Sequence, residues 1–176
     1  MLAALSVGSF LFASFLLSPR QGDIRRAYLT VDGLIASRTG AVAALVFALI
    51  GIIMVPLVLS DVSGQSITEA IKPANWFVVL NQVADAKAWL ISAMIALVVG
   101  GAALIAPRTW MWQPVWLVGA ILIVAPQGLS GHSAAGGDHD YGTNSLLWHV
   151  LFMMLWVGGL MALIAHGRRL GPNLQL

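Results

Sequence analysis

The chain has 176 residues, of which 59% are hydrophobic and only 9% charged. A water-facing domain carries about 25% charged residues, so this chain cannot cover a soluble surface of ordinary polarity and reads as an integral membrane protein. Cys is absent and the net charge is only +2, which excludes disulfides and thiolate metal sites and offers no footing for nucleic acid.

A bilayer-spanning helix needs about 20 apolar residues. The first apolar run, Met1 to Leu17, is at the short end of that range and stops at Ser18-Pro19-Arg20. It lacks the basic leader and small-residue cleavage site of a signal peptide, so further sequence is expected upstream. The second run covers roughly 40–59, with Pro56 near its end. A long loop over 60–85 follows. In it Ser66-Ile67-Thr68-Glu69 has capping-box spacing, Pro73 ends the short helix that follows, and Asn75 to Val83 reads as an interfacial helix. The third run covers 86–106 and stops at Pro107-Arg108, and the fourth covers 112–129, with Pro126 near its end. A second polar loop spans 130–144. The fifth run, 145–166, is capped by Thr143 or Asn144 and followed by Arg168 and Arg169.

Charge is segregated along this series. Arg20, Arg25, Arg26, Arg38, Arg108, Arg168 and Arg169 fall on one side, seven of the nine cationic residues. Lys72 and Lys87 face the other side among Asp61, Glu69 and Asp85, and the second outer loop holds Asp138 and Asp140 without a cation. The positive-inside rule makes the arginine side cytoplasmic. The expected fold is therefore all-α: a polytopic transmembrane helical bundle of about five spans, N-terminus outside and C-terminus cytoplasmic. Trp89 and Trp148 at outer helix ends, and Trp110 and Trp112 at an inner end, suit this layout. Trp156 falls near mid-membrane, where packing against a neighbouring helix is expected.

Three of the four histidines gather towards the outer face. His132, Asp138, His139 and Asp140 share one Gly-rich loop that Gly136-Gly137 lets reverse, and His149 lies just inside the fifth helix. Imidazole with carboxylate suits divalent transition metals. Solvation alone also accounts for a loop histidine, and the residues leave both readings open. Met153 lies one turn below His149 and could receive Cu(I) from it, although Met is equally an ordinary packing residue. His166 is 17 residues beyond His149, about 25 Å along a helix, and reads with Arg168 and Arg169 as a cytoplasmic anchor. The other spans contain no His, which argues against bis-histidine haem. Gly158 and Ala162 have the small-xxx-small spacing of close helix packing.

The stretch GHSAAGGDHDYGTNSLLWHVLFMMLWVGGLMALIAHGRR resembles the most characteristic segment of the CopD copper-resistance family. VGSFLFASFLLSP, PLVLSDVSGQSITEAI and AKAWLISAMIALVV fit the same pattern in the same order. The resemblance is closest to actinobacterial proteins in which a CopD-like half is fused to a CtaG-type cytochrome c oxidase assembly half. It implies one CopD-like transmembrane domain over 1–176, in a bacterial plasma membrane, belonging to a longer chain. It implies copper as the bound ion and matches His132, His139 and His149 to the family's histidine-bearing outer region; with Asp138 and Asp140 beside them in the loop, these are the candidate ligands. It also implies partners beyond lipid and copper, either further helices of a longer chain or an oxidase-assembly protein. Three functions are thereby set against one another: copper uptake or homeostasis, copper delivery to an oxidase without transport, and a haem-binding membrane cytochrome. No nucleophile–base pair or hydrolase metal spacing is present, so an enzyme is not expected.

Overall fold

The computed structural model describes residues 1–17, 27–130 and 139–167. Among the described residues the regular elements are helical, and the one β feature is an isolated bridge between Tyr28 and Thr109. Helix α1 runs Leu2–Leu11 and continues as a π-helical turn over Phe12–Leu16. Helix α2 is Val31–Ser63, α3 Ile67–Ala70, α4 Pro73–Gln82, α5 Ala84–Ile105, α6 Gln113–Leu122, α7 Ala125–Leu129 and α8 His139–His166. Among the described residues four stretches are long and apolar enough to cross a membrane: α2, α5, the run Trp110–Leu129, and Asn144–His166 within α8. Leu2–Leu16 is a shorter apolar helix.

Several helices outrun their apolar sequence. The apolar part of α2 is expected over 40–59, yet the helix starts nine residues earlier. Thr30 is the reason: its hydroxyl accepts the Gly33 N–H at 3.0 Å and satisfies one of the donors a helix start leaves open. Thr30→Ala is expected to cost about 1 kcal/mol and to speed amide exchange over the first turn of α2. The far end closes at Gly64, whose φ of +67° is left-handed and readily adopted only by glycine.

The expected capping box at Ser66 does not form. Ser66 makes no side-chain cap bond, and its hydroxyl pairs with Thr68 instead, while Glu69 pairs with Lys72. The short helix after Ser66 stops before Pro73 as expected, and Pro73 also opens α4, as its missing N–H favours at a first helical position. Helix α4 lies on the ends of α2 and α5 through Trp76 and Leu80, with the Trp76 indole N–H donating to the Ala70 carbonyl at 2.8 Å. Pro126 removes one N–H and crowds the carbonyl four residues back, and α6 accordingly ends at Leu122 before α7 resumes at Ala125. Thr143 and Asn144 do not cap α8, because that helix begins at His139 and contains both.

The bundle is sealed by small residues. Ala41, Ala44, Ala48, Ala96 and Ala120 are all buried between helices. Gly51 meets Ala93, and Gly100 meets the Ala41 carbonyl, so α2 and α5 run antiparallel at close approach. Lipid is as apolar as a side chain, so helices in a bilayer associate through such close contact rather than hydrophobic exclusion.

The tightest contact joins α1 to α8. Gly8 packs on the Gly158 backbone, Gly158 on the Ala4 carbonyl, and further along Phe12 and Ala13 cluster with Ala162. Residue numbers rise together on both helices, so the two are parallel.

Candidate functional site

The histidine cluster expected at one end of the bundle falls partly outside the described residues. His132 and Asp138 lie in 131–138, which the structure does not describe. His139 and Asp140 form the first two positions of α8. His149 follows ten residues later on the same helix, about 15 Å along its axis. His139 and His149 therefore do not share an ion while α8 is intact. His149 is exposed on the bundle surface, and Met153, one turn further on, is 40% exposed on the same face. Met94 is likewise exposed, on α5. Among the described residues no group of three His, Asp or Glu side chains could hold a metal.

His166 differs from the expected anchor. It is 2% exposed and sits inside the bundle, with Nε2 3.4 Å from the Ser9 hydroxyl and its ring 6.1 Å from that of Phe12. The cause is the close α1–α8 contact. Gly158, Ala162 and His166 are spaced by four and occupy one helix face, so the face that lets α1 approach carries the imidazole inward. Arg168 and Arg169, its expected companions, lie outside the described residues.

Helix α1 supplies the other half of this polar seam. Ser6, Ser9 and Ser14 are all fully buried. The Ser14 hydroxyl donates back to the Phe10 carbonyl at 2.7 Å, and the Ser14 carbonyl receives the Trp110 indole N–H at 2.8 Å. The π-helical turn coincides with this stretch, and such turns recur where a helix is adapted to a local demand. Sequence reasoning missed the seam, although serines at i and i+3 on an otherwise apolar helix, and a histidine in register with Gly158, were there to be read.

His166→Ala is expected to lower stability by about 2 kcal/mol, through a lost buried contact and the space left behind. Ser9→Ala should cost less, since it removes one hydroxyl and little volume. Chemical denaturation in mixed micelles measures both, and equal costs would contradict this packing.

The other polar concentration lies at the opposite end of α5 from α4. Arg38, Arg108, Ser37 and Gln113 line one narrow cavity there. An apolar cleft near the first turns of α8 is lined by Ile121, Leu147, Trp148 and Met154, with Asn144 at its edge.

Residues 1–143 match the family model for the copper resistance protein D-like N-terminal domain. The matched region includes His132, Asp138, His139 and Asp140 and ends before His149. No curated protein and no solved structure matches the chain.

Proposed function

Because the chain belongs to the copper resistance protein D-like family, we propose that it binds copper outside the cell for uptake or homeostasis. Copper is captured by His132, Asp138, His139 and Asp140, and His149 provides the next imidazole inward along α8. The family match carries this reading. Two features of the structure support it: His139 and Asp140 stand at the very start of α8, and His149 is exposed on the same helix. Imidazole and carboxylate donors suit Cu(II), and the chain has no thiolate to compete for the ion. The arginine-bearing end is the cytoplasmic one on this reading, and the membrane is the bacterial plasma membrane. No catalytic role is assigned.

Isothermal titration of the detergent-purified chain with Cu(II), and with Cu(I) under reducing conditions, tests the proposal. The wild type should bind, and a His132→Ala/His139→Ala/His149→Ala variant should not. Equal weak binding by both removes the site. A copper-delivery module for an oxidase would bind equally well yet give no copper entry into proteoliposomes, and that second measurement separates delivery from transport.

A further inference from the structure

A concentration of cationic and polar side chains lies at the other end of the bundle. Arg38 on α2 and Arg108 just beyond α5 border one cavity, and both side chains are exposed. Neither has a hydrogen bond or ion pair with another residue of the protein among those described. Gln113 forms part of the wall and is 2% exposed, yet its Oε1 has no hydrogen-bond partner among the described residues. A buried amide oxygen without a partner is costly, and it regains its bond only from a ligand that donates to it. The base of the cavity offers about 20 Å³, room for one oxygen-sized atom.

The site is held by backbone pairing. The Leu29 N–H donates to the Arg108 carbonyl at 2.8 Å, and the Trp110 N–H donates to the Ala27 carbonyl at 2.9 Å. These bonds flank the Tyr28–Thr109 bridge and fix Arg108 beside the start of α2. Helix α6 begins at Gln113, directly after the turn Trp110–Trp112, and so carries the Gln113 side chain to the same end. The chemistry on offer is two guanidiniums, which suit a phosphate group, and one amide oxygen, which suits a hydroxyl donor beside it.

Arg38 also borders a second, almost wholly apolar groove. It runs along α2 from Ile35 to Val46 and is walled by Leu2 and Leu5 of α1. Its 11-residue length corresponds to about 16 Å, close to half of the roughly 30 Å hydrocarbon core. A cationic pocket that opens at one residue into a groove one leaflet deep matches an amphiphile, not a free anion.

We propose that this end of the bundle holds one anionic phospholipid, with its phosphate between Arg38 and Arg108 and one acyl chain along the α1–α2 groove. Gln113 Oε1, an acceptor, takes a headgroup hydroxyl as donor and not a phosphate oxygen, and the chain covers Val42 and Val46. The inference is independent of the copper reading, since it uses the opposite end of the molecule.

Native mass spectrometry of the purified chain, titrated separately with phosphatidylglycerol and phosphatidylcholine, tests it. The wild type should retain one phosphatidylglycerol with a preference of roughly tenfold or more over phosphatidylcholine. Arg38→Gln/Arg108→Gln should abolish the preference. Val42→Trp fills the groove at a position already 51% exposed, so the fold tolerates it, and it should weaken retention with both arginines intact. Lys87→Gln, at the other end of α5, should change nothing. An unchanged preference in the double arginine variant overturns the proposal. So does displacement of the lipid by millimolar inorganic phosphate with no effect of Val42→Trp, which would make this a soluble-anion site.

Discussion

Gly158→Leu is expected to separate α1 from α8 and to lower stability by about 3 kcal/mol or more. A Cβ at Gly158 runs into the Ala4 carbonyl, and one at Gly8 runs into the Gly158 backbone. These obstacles are main-chain atoms, which cannot rotate away as a side-chain tip can. Gly159→Leu is the control. The same side chain enters the same helix one residue later, where a Cβ meets nothing within 4 Å. It should be neutral or slightly stabilising, because glycine is a poor helix former by about 1 kcal/mol. Unfolding in mixed micelles reads the difference directly, and similar losses from the two variants would contradict the α1–α8 contact.

The second large effect concerns copper. With His139 and His149 about 15 Å apart along α8, their removal should have different consequences. His139→Ala is expected to weaken the first copper equivalent on the order of a hundredfold, at least the loss seen when a ligand's support is removed. His149→Ala should leave the first equivalent unchanged and weaken a second. Competition titration against a chelator of known affinity measures both. Equal losses of the first equivalent from the two variants would mean that one ion spans both residues.

The sequence revealed the class of fold because the requirement is crude: long apolar helices separated by polar, charge-segregated loops. Helix ends were less legible. Beyond the apolar core a helix continues wherever a cap allows, and Thr30 carries α2 nine residues past its expected start. Pro126 and Pro73 acted locally as proline chemistry requires, and Pro73 separates α3 from α4 by beginning the second of them.

Facing direction was hardest to read. Trp156 is 66% exposed, contrary to the expected packing against a neighbour. It precedes Gly158 by two residues, or about 200° around the helix, so the glycine face turns the indole outward. The same geometry turns His166 inward. Neither follows from hydropathy, because both depend on which side of α8 meets α1. Gly158 and Ala162 identified that side in advance, and carrying the i+4 series one step further would have reached His166. As for the candidate metal residues, spacing put them in one segment, but it could not show that α8 begins at His139 and stretches the distance to His149.

The central claim is that copper is held by imidazole at the outer end of this bundle. X-ray absorption spectroscopy of the copper-loaded chain tests it most directly. The account predicts a nitrogen and oxygen first shell with the multiple scattering of histidine rings, lost in the His132→Ala/His139→Ala/His149→Ala variant. A sulfur-dominated shell, or a histidine signature that survives in that variant, would contradict it.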